Sequence, residues 1–281
     1  MAFDINSISS KAVHKPPTML IVAKEKMGKT SFCAGSRVEN GKVVEYGLNK
    51  PIILWLKGEQ GAADIPVAKN NEAISSYDEL MDALAWLAKT DHSFETVAVD
   101  SLTTLCEIVV KKVVADHPDL CEKSTFDRFG NGNKLAVPLH RSICEALTWL
   151  RDNKNMTVIV TAHIKNNTKQ VNDPERGSYD SWVADIPDAV WSVYSREFDF
   201  IGYADTKDVV TQNDVGFGNK QGRAVSVGNG QRFLFTKKTL SHPSGGRGIY
   251  GHLPAEIPFD WASFQNAIAE TINATPSNTN N

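Results

Sequence analysis

Residues 18–31, TMLIVAKEKMGKTS, constrain this chain more than any other stretch. An apolar run at 19–23 breaks into a polar turn that closes on Gly28, Lys29 and Thr30. A helix is predicted to follow over residues 31–39. Strand, loop, Gly-Lys-Thr and helix together make the layout of a P-loop. That layout answers the needs of a polyphosphate, which must be wrapped by backbone N–H groups at a helix N-terminus. In it, Gly28 permits close backbone approach, Lys29 reaches the β- and γ-phosphates, and the Thr30 hydroxyl ligates Mg²⁺. The candidate ATP-binding segment is Ala23, Lys24, Glu25, Lys26, Met27, Gly28, Lys29, Thr30 and Ser31. One position departs from GxxxxGK[ST]: Ala23 stands where the first glycine is expected, and no other glycine precedes Gly28. A residue with a Cβ is less free in φ and ψ. The departure is therefore expected to affect nucleotide affinity and turnover more than the fold.

Downstream, the hydrophobic pattern alternates between strands and helices. Residues 51–57 (PIILWLK) form a continuous apolar run of strand length, as expected of a strand covered on both faces, and lead into Gly58-Glu59-Gln60-Gly61. Ser76 and Glu79 make a capping-box pattern ahead of a helix in which Leu80, Leu84 and Leu87 recur. Residues 96–100 (TVAVD) read as a strand ending in Asp100, and 102–114 as a helix stopped near Pro118. A long amphipathic helix is predicted at 135–151, then a buried strand at 157–162 ending at His163. Shorter strands are expected at 199–204, 224–227 and 232–235. Residues 164–184 are polar and aperiodic and read as a long loop, a length usually functional or disordered in compact domains.

This alternation predicts an α/β fold with a mostly parallel central sheet, flanked by helices and extended by C-terminal edge strands. The expected organisation is an N-terminal leader or arm at 1–17, one ATPase domain at 18–268, and a flexible polar tail at 269–281. A net charge of −3 and a pI near 6.2 exclude a globally basic nucleic-acid binder, so any such contact must come from a local patch. Cys33, Cys106, Cys121 and Cys144 are far apart, without a CxxC pair, and read as reduced thiols rather than disulfides or a zinc site. No apolar run approaches membrane-spanning length and no signal-peptide core is present, so a cytoplasmic protein without a membrane partner is expected.

Asp100 closes a hydrophobic strand about seventy residues after the Gly-Lys-Thr, with another buried strand between. This is a Walker-B pattern, whose carboxylate holds Mg²⁺ together with Thr30. Hydrolysis also needs a group to orient water. Many P-loop ATPases carry a glutamate directly after the Walker-B acid, where this chain has Ser101. Glu59, at the end of a neighbouring strand, is the alternative. Residues 124–134 (STFDRFGNGNK) read as a loop with exposed aromatics and positive charge: Phe126, Arg128, Phe129 and Lys134.

The combination of Gly-Lys-Thr, a strand ending in Glu59, VDSLTTL and VTAH resembles the RecA-type ATPase core. FGNGNK before a long helix, VTAHIK, DPERGSYDSW and the closing RFLFTKKT and GIYGHLPAEIPFDWASF are similar to phage-encoded RecA-like ATP-binding proteins. These belong to the Sak-related group linked to DNA recombination and single-strand annealing. The resemblance spans residues 18–268. It implies a RecA-like P-loop NTPase core using ATP and Mg²⁺, with Glu59 acting on water and His163 sensing the γ-phosphate. It also implies that the loop after His163 contacts single-stranded DNA, through Lys165, Lys169, Arg176, Tyr179 and Trp182. Cations beside aromatics suit a single strand, whose phosphates need positive charge and whose bases offer stacking faces. The 126–134 loop would be a second contact.

By the same resemblance the protein acts as a homo-oligomer or filament in the host cytoplasm, with a single-strand-binding protein as a further partner. Its site would be completed by a basic residue from the adjacent subunit. Arg247 is the first candidate for that residue, and Lys237 or Lys238 the second. The catalytic set is then Lys29, Glu59, Asp100, His163 and Arg247. Two alternatives remain open from the sequence: a P-loop ATPase for helicase loading or packaging, and a non-hydrolysing nucleotide-binding scaffold. Annealing and strand exchange are not separated.

Overall fold

The apolar runs become adjacent parallel strands. The structure, a computed structural model, describes residues 15–120, 126, 130–169, 179–207, 210–212, 224–226 and 230–274, with backbone alone at 168–169, 179, 210–212 and 224–226. In chain order the strands are β1 (Thr18–Ala23), β2 (Arg37–Glu39), β3 (Lys42–Glu45), β4 (Pro51–Trp55), β5 (Ala68–Lys69), β6 (Thr96–Asp100), β7 (Thr157–Ala162), β8 (Ile164–Lys169), β9 (Tyr179–Ala184), β10 (Phe200–Thr206), β11 (Val210–Gln212), β12 (Ala224–Ser226), β13 (Arg232–Phe235), β14 (Gly245–Gly246) and β15 (Glu256–Pro258). The helices are α1 (Lys29–Cys33), α2 (Tyr77–Lys89), α3 (Leu102–Asp116), α4 (Asn131–Lys154), α5 (Asp188–Glu197) and α6 (Trp261–Ala274).

The central sheet runs β15-β13-β10-β1-β7-β6-β4-β5, with β14 also on β10. Strands β10 through β5 are parallel, whereas β13, β14 and β15 join antiparallel. This is the α/β P-loop NTPase fold expected from the sequence. Alternation within β1 feeds two cores. Leu20 and Val22 pack under α2 to α5 with Leu84, Val109, Leu147 and Tyr194. Met19, Ile21 and Ala23 face α1 and α6 with Phe32, Trp261 and Phe264. Coverage on both faces is why these strands read as unbroken apolar runs. Phe32 stacks on Phe259 at 5.1 Å and so ties α1 to the C-terminal segment. The parallel strands β1, β4, β6, β7 and β10 all end at one edge, and β7 lies between β1 and β6.

The opposite edge is fastened by Asp199. Its Oδ2 accepts from the Thr18 N–H and hydroxyl, each at 3.1 Å, and from Arg151 Nη1 at 3.1 Å. Its Oδ1 accepts from Arg247 Nε at 2.9 Å.

Several expectations are corrected. The helix predicted over 31–39 is only α1. Gly35 takes a left-handed φ of +67°, and the Asn49 side chain lies 2.1 Å from where a Cβ would sit, so the helix stops there. The chain then forms the β2–β3 hairpin, which turns at Asn40-Gly41, both with positive φ, as two-residue hairpins favour. The long loop at 164–184 contains a second hairpin, pairing Ile164↔Ala184 through Lys169↔Tyr179. Lys165, Asn166 and Asn167 are all exposed, so no alternation marked it as strand. Phe126 is no exposed aromatic: it is buried in the core under α3 and α4, against Gly132.

The boundary expected at 268 falls inside α6, which continues through Ala274. Of the leader, only residues 15–17 are described, with Lys15 paired to Asp152 at 2.9 Å. Cys33, Cys106 and Cys144 are free and buried, and burial raises their thiol pKa values, to about 12 for Cys106 and Cys144. Cys121 lies outside the described residues. No described helix is long and apolar enough to cross a membrane.

Candidate functional site

Strand β1 delivers the chain to the loop in an extended conformation. Ala23 pairs with Ala204 as the last strand residue and is not among the positive-φ positions. A Cβ there is accommodated without strain, so the expected conformational penalty of the missing glycine does not arise. The turn is made instead by Lys26, at φ 59°, and by Gly28, at φ 101° directly ahead of α1.

Lys29 is buried, and its Nζ donates to the carbonyls of Ala23 (3.1 Å) and Lys24 (2.9 Å). The same Nζ lies 3.2 Å from His163 Nδ1. Burial lowers its pKa, against the pull of Asp100 and Glu59. Among the described residues it forms no ion pair. Beside it, Thr30 Oγ1 donates to Asp100 Oδ2 at 2.7 Å, and Thr161 Oγ1 donates to Asp100 Oδ1 at 2.5 Å. Asp100 is thus buried with a hydroxyl on each oxygen.

Glu59 follows β4 on a turn whose far end, Gly61, presses on Thr30. A Cβ on Gly61 would stand 2.6 Å from Thr30 Oγ1. Glu59 Oε1 accepts from Ser101 Oγ (2.5 Å), Thr104 Oγ1 (3.0 Å) and His163 Nε2 (3.1 Å). The hydrogen bond from His163, aided by those of Ser101 and Thr104 and opposed by burial, brings its pKa down to about 2. Ser101, at the position where an acid was sought, therefore holds the acid of another strand. One neutral tautomer of His163, protonated on Nε2, accepts from the Lys29 ammonium and donates to Glu59. Its backbone N–H is fixed by Thr103 Oγ1 at 3.0 Å, and Glu25 Oε1 lies 3.6 Å from Nδ1.

Lys29, Thr30, Glu59, Asp100 and His163, named from four separate stretches of sequence, therefore meet at one edge of the sheet. Lys24 sits alongside, 3.4 Å from Asp205 and over the Trp182 ring at 4.5 Å. Trp182 is half-buried and lines a cavity of about 490 Å³ with Ile186, Trp191, Ile201 and Lys238. Lys165 is exposed and pairs with Asp185 at 2.9 Å, and Lys134 is exposed on the first turn of α4. The backbones of Lys169 and Tyr179 close the β8–β9 ladder. Arg128, Phe129 and Arg176 lie outside the described residues.

Arg247 does not join the site. It lies at the opposite edge, where Nε, Nη1 and Nη2 donate to Asp199, to the Arg196 carbonyl (3.1 Å) and to the Glu197 carbonyl. Its guanidinium is thus held by its own chain and stays more than half exposed. Lys237 is likewise held, by the Gly251 carbonyl at 2.6 Å.

Thr161, Thr104 and Gly61 were missed by reading the sequence. Only Thr161 had a readable signal, as a hydroxyl two residues before His163 in an otherwise apolar strand.

The residues fit a magnesium nucleotide. A buried ammonium has only carbonyls and a histidine to satisfy it, and a hydroxyl and carboxylate in contact, Thr30 and Asp100, would hold the ion. No cluster of three or more His, Cys, Asp or Glu among the described residues would hold a metal alone. That accords with Mg²⁺, which takes few protein ligands and completes its shell with phosphate and water. Fold and site thus define a P-loop nucleotide-binding protein. Residues 15–248 match the family described as AAA domain, and the chain belongs to that family of P-loop ATPases. A search of curated proteins finds no match.

Proposed function

We propose that this chain binds ATP with Mg²⁺ through residues 23–31 and hydrolyses it with Glu59 polarising the attacking water. We further infer that it couples turnover to single-stranded DNA in recombination, annealing or repair. One observation carries the enzymatic part: the hydrogen-bonded path from Lys29 through His163 to Glu59. It joins the group that reaches phosphate to the group that would act on water. Bound Mg²⁺ would neutralise charge on the phosphates. With its pKa near 2, Glu59 is anionic at neutral pH and acts chiefly by accepting and orienting a water proton.

The DNA reading draws on the RecA-type resemblance and on where the β8–β9 hairpin is rooted. The hairpin begins one residue after His163, and the Asp185 N–H closes its base onto the His163 carbonyl at 2.8 Å. A strand binding along this hairpin would pull on the residue that contacts Lys29 and Glu59. The protein would act as a homo-oligomer on that strand, alongside a single-strand-binding protein.

The test is phosphate release with and without single-stranded DNA, for wild type and Lys29→Ala. DNA-stimulated release that vanishes in the variant supports the reading. Release indifferent to DNA removes the recombination role, and absence of release removes the hydrolase.

A further inference from the structure

The loop that would carry the phosphates is gripped from both faces of the sheet, and the two grips differ in kind. On one face the Lys24 ammonium meets Asp205 and Trp182, so its charge is already answered. On the other face stands Arg232. In β13, Leu234 belongs to the core beside α1, and alternation puts Arg232, two residues earlier, on that same face. Its guanidinium lies against the loop: Nη1 is 2.9 Å and Cζ 3.9 Å from the point a Cβ on Gly28 would occupy.

The backbone that presents this side chain is fixed on both sides. Arg232 pairs with Thr206 of β10, and its carbonyl accepts from the Phe259 N–H at 2.9 Å. The guanidinium makes no ion pair or hydrogen bond with any described residue, and the acid nearest along the paired strand, Asp205, is taken by Lys24 and Tyr203. A planar cation whose donors are unspent among the described residues, beside the residue that precedes Lys29, suits an oxyanion ligand. The site also needs it. Around the loop stand the carboxylates of Glu25, Glu59 and Asp100 and the ammonium groups of Lys26 and Lys29, while a polyphosphate brings several further negative charges.

We propose that Arg232 is a phosphate-binding residue supplied by the same chain, closing the site over Gly28 against the phosphates of the bound nucleotide. The inference rests on the nucleotide reading above. It assigns to an antiparallel edge strand the guanidinium that the sequence had led us to seek in a neighbouring subunit. It also explains why Gly28 must stay a glycine beyond its φ, since any side chain would displace the arginine.

The test compares wild type with Arg232→Ala, Arg232→Lys and Lys29→Ala. ATP and ADP affinities are measured by calorimetry with Mg²⁺, competition by inorganic tripolyphosphate is measured alongside, and thermal unfolding monitors the fold. The expected result is about a tenfold loss of ATP affinity in Arg232→Ala with unfolding temperature retained. Tripolyphosphate affinity should fall in parallel, and Arg232→Lys should recover only part of it. Wild-type affinities in Arg232→Ala, together with loss of binding in Lys29→Ala, overturn the role of Arg232 and leave the nucleotide site standing. If wild type binds no nucleotide, the site and this inference fall together. A variant whose unfolding temperature collapses is replaced by Arg232→Gln, which keeps the side chain's bulk and removes its charge. Unchanged affinity in that variant also overturns the proposal.

Discussion

The two edges of the central sheet each hold a carboxylate in a polar cluster, and they are built on opposite accounts of charge. At the edge where the parallel strands begin, burial works against the Asp199 anion. The Thr18 N–H, Arg247, the Thr18 hydroxyl and Arg151 together outweigh it and lower its pKa. Two guanidinium groups answer Asp199, one of them shared with Asp152, so the charges there are met among the described residues. At the edge where those strands end, Asp100 and Glu59 are met by hydroxyls and an imidazole, while Lys29 spends its ammonium on carbonyls. Cation and anions there are close but unpaired. A fastening closes its charges locally, whereas a binding site leaves them to be completed from outside.

This contrast can be broken by substitution, and the largest effects should fall at the ligand edge. Glu59→Gln should lower phosphate release about 10³-fold while leaving nucleotide affinity within a few-fold, read by single-turnover kinetics and calorimetry. Lys29→Ala should weaken ATP binding by roughly 100-fold, an effect larger than any change in unfolding temperature, since it removes hydrogen bonds to two carbonyls and to His163 but no ion pair among the described residues. Asp199→Asn should do the reverse. Removing the Asp199 charge from Thr18, Arg151 and Arg247, although Arg151 keeps Asp152, should cost about 2 kcal/mol, or about 5 °C in thermal unfolding, with affinity unchanged. If Asp199→Asn instead altered turnover, the division between the edges would fail.

Smaller changes sharpen the comparison. His163→Ala removes the largest influence holding Glu59 near pH 2, so its carboxyl should titrate at a higher pH by carbon NMR. The depressed pKa means that Glu59 contributes stability above the unfolded-state value of about 4.3. That contribution is lost as pH falls through about 2 in wild type, and at a higher pH in the variant. Arg247→Ala should be the mildest. Its side chain is more than half exposed, so about 0.5 kcal/mol of stability and no change in ATP turnover are expected.

Where the sequence was informative, the information lay at strand ends. Glu59, Asp100 and His163 each terminate a run whose apolarity could be read, and parallel strands necessarily bring such ends to one edge. Arg232 could not be found that way. Its position depends on β13 joining β10 antiparallel, a pairing between distant segments that no local pattern records. The β8–β9 hairpin was hidden for a different reason. Its first strand is exposed on successive residues, so the period of two that identifies a half-buried strand is absent. Phe126 was misjudged because turn-forming neighbours mark a loop but not which of its side chains folds inward. Arg247 sits in a glycine-rich turn that delivers it to an acid nearly fifty residues away in sequence, a contact that no local pattern records.

The central sheet ends in β5, of two residues, on one side and in β15, of three residues closing on Pro258, on the other. A proline offers no N–H, and ladders this short give an incoming strand almost nothing to pair with. Neither end of the described central sheet therefore offers a second copy a long ladder to extend.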